Sequence, residues 1–171
     1  MTRTVSAYIG LGSNLGDRRA AIESALAALA ARENIDLVRV SAIVETAPHL
    51  PPGEPGHPAA SVGPYLNAVV HVRTTMTPRD LLDACLAIEA SLGRRRTRES
   101  RWEARPIDLD VLLHGESVID EPGLRIPHPR MHERAFVLGP LAEIAAEVVH
   151  PGLGRSIEWL RDRRRGEAAG G

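Results

Sequence analysis

Residues 105–113, Arg-Pro-Ile-Asp-Leu-Asp-Val-Leu-Leu, set two carboxylates two positions apart at the head of an apolar run. On a strand, alternation turns Asp108 and Asp110 to one face and Leu109, Val111 and Leu113 to the other. Adjacent carboxylates repel, so a strand buried on its Leu/Val side has reason to carry both only when a cation lies between them. Magnesium suits such a pair, because it takes hard oxygen ligands and commonly combines one or two carboxylates with substrate phosphates. Just upstream stand Arg94, Arg95, Arg96, Arg98, Arg101 and Arg105, planar forks that grip phosphate in bidentate fashion. Taken alone, Asp-Leu-Asp fits a solvated edge strand whose acids pair with nearby arginines. The arginine run turns the reading toward metal-assisted phosphoryl transfer from a nucleotide.

Composition narrows the chemistry. All 21 basic residues are arginine, so no phosphate-binding-loop lysine, Schiff-base lysine or kinase-type strand lysine exists in the chain. A net charge of −1 argues against general nucleic-acid binding, and one Phe, two Tyr and two Trp are too few for a base-stacking platform. The single cysteine, Cys85, falls on an apolar helical stripe and reads as a buried structural thiol. No apolar run approaches the roughly 18 residues of a membrane span, and the first residues lack a secretory apolar segment. A cytoplasmic protein with neither membrane nor nucleic-acid partners is expected.

The elements that must position the acids follow from periodicity. Val5–Ile9 reads as a short buried strand, after which Gly10, Gly12 and Gly16 are expected to form a tight strand-to-helix turn, with Ser13 or Asn14 as its route to a ligand. Their G-x-G-x-x-x-G spacing is one residue too long for a dinucleotide fingerprint. Asp17 caps a helix to about Arg32, carrying Ile22, Leu26 and Leu29 on one face. A second strand is expected over Leu37–Thr46 and a third over Tyr65–Arg73, with Tyr65 and Asn67 pointing the same way. Residues 47–64 between them, rich in proline and glycine, read as a long loop in which His49 and His57 are solvated. Thr77-Pro78-Arg79-Asp80 opens a helix to Leu92 with a stripe of Leu81, Cys85, Ile88 and Leu92. Glu89 beside that stripe suits either a surface ion pair or a substrate contact.

Beyond the acidic strand the pattern predicts a turn at Gly115, a strand over Ser117–Ile119, and a helix from His132 to about Glu147 broken by Gly139-Pro140. A last helix spans Ile157–Arg165, and residues from about 166 to 171 read as a flexible tail. The chain is expected to fold as one domain over 1–171. The order strand-helix-strand-strand-helix-strand predicts an α+β, ferredoxin-like antiparallel sheet with helices packed on it and further helices at the C-terminus. Such a fold also serves RNA-binding modules, and the acid pair also suits a nucleotide phosphohydrolase or cyclase, so function rests on the site.

Six segments in order resemble the 6-hydroxymethyl-7,8-dihydropterin pyrophosphokinases: Ala7–Asp17, Glu45-Thr-Ala-Pro, Pro64-Tyr-Leu-Asn-Ala, Glu89 with Gly93-Arg94, Arg101-Trp102 through Arg105-Pro-Ile-Asp-Leu-Asp, and Ile126-Pro-His-Pro-Arg-Met with Arg134-Ala-Phe-Val-Leu. The resemblance implies transfer of pyrophosphate from ATP to the pterin hydroxymethyl group in folate synthesis, with release of AMP. It makes Asp108 and Asp110 ligands of two Mg2+ ions, and Arg96, Arg101 and Arg105 catalytic arginines that contact ATP. Glu89, His128, Arg134 and Trp102 become further nucleotide contacts. The pterin pocket falls to Thr46, Tyr65, Asn67, Trp102 and Phe136. A flat heteroaromatic ring suits an aromatic sandwich such as Trp102 with Phe136, and an asparagine supplies a donor and an acceptor to its edge. Leu86, Pro129 and Glu103-Ala104 depart from the pattern of some members. ATP and the pterin are the partners expected of a monomer, with loops 47–64 and 94–104 closing over them.

Overall fold

The computed structural model describes residues 3–47, 63–93 and 106–170. Strand β1 (Val5–Ser13) is the centre of the sheet, paired antiparallel with β4 (Tyr65–Thr74) on one edge and β5 (Asp108–His114) on the other. Outside β4 lie β2 (Ile35–Val40) and the three-residue β3 (Val44–Thr46), both antiparallel to it. The resulting order β2-β4-β1-β5 is that of a ferredoxin-like sheet, as the element order predicts. Helices α1 (Arg18–Ala30) and α2 (Pro78–Ser91) cover one face. Asp17 caps α1 by accepting the Ala20 amide at 3.0 Å, and Thr77 caps α2 by accepting the Asp80 amide while donating to its carboxylate at 2.7 Å.

Two cores share the sheet. Ile9, Leu11, Val70 and Leu109 pack against Ile22 and Leu29 of α1 and Leu81, Cys85 and Ile88 of α2. Cys85 is buried, and burial, with the negative charges of Glu89 and Asp110 adding to it, pushes its thiol up to about 12. On the opposite face Tyr8, Val69 and Leu112 pack against Leu138 and Leu141 of α3 (Ala135–Ala145) and Leu160 of α4 (Ile157–Ala169).

Six sequence expectations need correction. Leu113 packs with Tyr8 and Leu138 on the face opposite Leu109 and Val111, because the pairing of β1 with β5 shifts register between Tyr8 and Ile9. The strand expected over 37–46 breaks at Ser41–Ile43, where the Ser41 amide still donates to the Val69 carbonyl but side chains take over the rest of the pairing. Ser41 Oγ accepts the Val69 amide at 2.9 Å and donates to the Ala42 carbonyl, while the Ala42 amide donates to the Glu143 carboxylate at 3.1 Å. Gly10 and Gly12 lie within β1 rather than in a turn, since β1 stays paired on both edges through Gly12. The short strand expected at 117–119 is β6 (Ile119–Glu121), hairpinned to β7 (Leu124–Ile126) through Pro122 and Gly123, whose φ of 75° suits glycine. Pro140 does not break α3, because Val137, Leu138, Pro140, Leu141, Ala142 and Ala145 are all buried and their packing outweighs the missing N–H. Helix α4 runs on to Ala169 through the residues expected as a flexible tail, braced by Arg163–Glu167 at 3.0 Å.

Candidate active site

The register sets the site out row by row. Gly12 of β1 stands opposite Asn67 of β4 on one side and Asp108 of β5 on the other, and Gly10 stands between Val69 and Asp110. Two interstrand steps put the backbones of Asn67 and Asp108 about 10 Å apart. Glycine leaves the space between them without a side chain. A Cβ at Gly12 would lie 3.4 Å from Asn67 Oδ1 and 3.9 Å from Tyr65, so even a methyl group would enter this trough. Thr46 closes it beyond β4, its hydroxyl accepting Asn67 Nδ2 at 2.7 Å. Thr46, Tyr65 and Asn67 are therefore brought together, with Asn67 only 7% exposed.

Asp108 and Asp110 are half-buried on the first turn of the pleat of β5, which is an edge strand. One edge is held by β1. The other edge is held at Leu109, between the two acids, where Glu89 Oε1 accepts the backbone amide at 2.7 Å. Glu89 is 2% exposed, which overturns its reading as a surface ion pair. Ser13 also ties the two strands' ends together, its hydroxyl donating to the Pro106 carbonyl at 2.6 Å. Glu89, Ser13, Gly10 and Gly12 thus shape the acid pair without carrying its charge.

Cationic and neutral groups complete the wall. Arg134 precedes α3, with its guanidinium 5.7 Å from the ring centroid of half-buried Phe136. Burial lowers the Arg134 pKa, while Asp110 and Asp108 favour its charged form. His128 follows β7, its amide donating to the Leu112 carbonyl at 2.9 Å and its Nδ1 accepting the Arg130 amide at 3.2 Å. Burial and the charges of Arg134 and Arg130, opposed by Asp108, bring the His128 ring from 6.5 down to about 4. A neutral ring whose Nδ1 accepts carries its proton on Nε2, so it presents an N–H donor.

A cleft of about 560 Å³ opens beside Asp110 and His128, between Leu82 of α2 and the β6–β7 hairpin at Gly123–Arg125. That volume falls within the ordinary range of small-ligand pockets. Two of the predicted groups meet in it, Asp110 and His128. Among the described residues no cluster of three or more His, Cys, Asp or Glu side chains could enclose an ion by itself. A two-carboxylate donor set fits magnesium whose remaining positions go to phosphate and water. Arg94, Arg95, Arg96, Arg98, Arg101, Trp102 and Arg105 lie outside the described residues, as do His49, His57 and almost all of the two expected closing loops.

Comparison with known proteins places the chain in a family. The model of the 7,8-dihydro-6-hydroxymethylpterin-pyrophosphokinase family matches residues 8–146. A Methylorubrum extorquens protein named 2-amino-4-hydroxy-6-hydroxymethyldihydropteridine pyrophosphokinase is 45% identical over 149 residues, covering 87% of this chain and 86% of its own. A Bacillus subtilis protein of the same name is 43% identical over 142 residues, covering 83% and 79%. In shape the chain matches a Plasmodium falciparum HPPK-DHPS crystal structure with pterin and p-hydroxybenzoate, at a TM-score of 0.73 and 16% identity. The match covers 99% of this chain and 44% of that one, and it bears on the fold alone.

Two measurements check this description. Glu89→Ala leaves the Leu109 amide buried without that acceptor and should cost about 1–3 kcal/mol in urea unfolding. Glu89→Gln keeps an oxygen acceptor there and should cost less; an equal loss in both variants would mean that charge rather than the bond matters. For His128, the folded pKa of about 4 lies below the ordinary 6.5, so between those values the unfolded chain binds the proton and the folded one does not. Its contribution is full above 6.5 and is lost as pH falls through that window. His128→Gln should therefore flatten the fall in unfolding free energy between about pH 7 and about pH 4.5.

Proposed function

The chain belongs to the 7,8-dihydro-6-hydroxymethylpterin-pyrophosphokinase family, and from that premise we infer how its site transfers the pyrophosphoryl group of ATP to the hydroxymethyl group of 6-hydroxymethyl-7,8-dihydropterin in folate biosynthesis. The observation that carries the reading is the row Asn67–Gly12–Asp108, which sets a polar ring-edge partner and a carboxylate on opposite banks of a side-chain-free trough. A flat pterin lying over Gly12 has its ring edge at Asn67 and Thr46, and its substituent extends toward Asp108. Tyr65 and Phe136, with Trp102, are its aromatic walls.

On the other side the nucleotide occupies the cleft beside Asp110, with its phosphates toward the two acids. His128 Nε2–H and the Arg134 guanidinium are donors to it, and Arg96, Arg101 and Arg105 brace the phosphates as charge builds during in-line attack at the β-phosphorus. Glu89 acts on the nucleotide side from beneath the strand, through the Leu109 amide. Asp108 and Asp110 would hold Mg2+, two ions by the family resemblance, which when bound would supply charge neutralisation and acidification of the attacking hydroxyl. His128 is a poor base for that hydroxyl, because its ring is protonated only near pH 4 and its Nδ1 is already an acceptor.

The competing readings fit the fold and the pocket less well. An RNA-binding use of this sheet needs an open face, whereas helices α1 and α2 cover one face and α3 and α4 much of the other. A hydrolase that uses the acid pair alone leaves the Asn67–Thr46 pocket without a purpose. We read the chain as a single domain, a monomer working in the cytoplasm on two small molecules. No helix among the described residues is long and apolar enough to cross a membrane.

The acid pair provides the test. Asp108→Asn or Asp110→Asn should lower kcat/KM by about a hundred- to a thousandfold, the loss typical of removing a preorganised charge contact. Circular dichroism should be unchanged, and melting without magnesium should hold or rise, since one carboxylate no longer repels the other. Near-normal turnover of either variant at ordinary magnesium would refute the metal assignment.

A further inference from the structure

Arg18 stands at the first position of α1, where the helix dipole disfavours a cation and no acid lies in the first turn. It is held there by two contacts that point the same way. Its Nη2 lies 3.0 Å from Glu45 Oε2, and its Nη1 donates to the Pro64 carbonyl at 2.7 Å. Glu45 precedes Thr46 on β3, and Pro64 precedes Tyr65 on β4. One guanidinium therefore ties the end of β3 to the start of β4, beside the pair Thr46↔Tyr65.

That tie matters because β3 has only three residues and pairs with β4 alone. So short a strand is marginal without outside support. Its last residue nevertheless fixes the orientation of a buried amide, since Thr46 Oγ1 takes Asn67 Nδ2 at 2.7 Å. With the nitrogen so engaged, Asn67 Oδ1 lies over the trough at Gly12. A displaced β3 would free the amide to rotate and would exchange acceptor for donor at the trough.

We propose that Arg18 is a positioning residue for recognition of the pterin: by bridging Glu45 and Pro64 it fixes β3 on β4, so that Thr46 locks the Asn67 amide with its oxygen toward the ring edge. Arg18 touches no substrate and acts through Thr46 and Asn67. The proposal rests on the assignment of those two residues to the pterin. Geometry, not charge alone, is what it requires, because two different guanidinium nitrogens serve two partners and one ammonium cannot copy that fork.

The test measures binding of 6-hydroxymethyl-7,8-dihydropterin and of a nonhydrolysable ATP analogue to the full chain with magnesium, together with steady-state constants. Arg18→Ala should raise the pterin Kd and KM about tenfold, the equivalent of one charge-assisted hydrogen bond, with kcat and the ATP KM within about twofold of wild type. Glu45→Gln should shift the same constants in the same direction, less far, and the double variant should fall short of the product of the two. Arg18→Lys should recover only part of the loss. Full recovery by lysine, an equal loss for both substrates, or an unchanged pterin Kd in the folded Arg18→Ala and Glu45→Gln variants would overturn the proposal. Failure of wild type itself to bind the pterin would instead overturn the functional reading on which the proposal rests.

Discussion

Two carboxylates at neighbouring positions of one strand face repel each other, and a flexible strand would relieve that repulsion by turning one of them away. The structure denies β5 that freedom at both edges. On the inner edge β1 pairs with it from Gly12 to Ala7, and on the outer edge Glu89 takes the amide of Leu109, between the two acids. An edge strand normally offers its outward amides to water or to another chain. Here a buried carboxylate occupies the one that matters most for the site, and the position of Asp108 and Asp110 follows from it.

The same constraint orders the electrostatics. Three acids, Glu89, Asp108 and Asp110, lie about the first residues of β5, and two of them, Glu89 and Asp110, add to the burial that raises the Cys85 thiol. Arg134 answers part of that charge from the start of α3. A cation bound with a polyphosphate would answer the rest, and the two carboxylates suit a hard divalent ion whose other positions go to phosphate and water. His128 stays neutral in this surrounding chiefly because it is buried, and so presents an N–H rather than a charge.

Much of this was legible in the sequence, where the physics is local. Alternation placed Asp108 with Asp110 and Tyr65 with Asn67 on common faces, and the caps Asp17 and Thr77 set where α1 and α2 begin. What escaped depends on contacts between residues far apart in the chain. Glu89 looks like a surface acid until β5 is laid against α2, 20 residues away. Gly10 and Gly12 look like turn residues until β4 and β5 are seen to pair on both sides of them. The break at Ser41–Ile43 depends on Glu143, 101 residues distant, and the integrity of α3 through Pro140 depends on burial that periodicity alone does not show. The arginine segment, the plainest chemical signal in the sequence, lies outside the described residues, so its part in the site rests on residue type and on the family.

The central claim is that one trough holds a pterin at Asn67 and a metal-bound polyphosphate at Asp108 and Asp110, so that neither substrate is turned over without the other. Phosphorus NMR of ATP and magnesium incubated with the enzyme, with and without 6-hydroxymethyl-7,8-dihydropterin, tests it most directly. The account predicts AMP only when the pterin is present, in equal amount to a pyrophosphorylated pterin. Formation of ADP, or of AMP and free pyrophosphate at the same rate without the pterin, would contradict it.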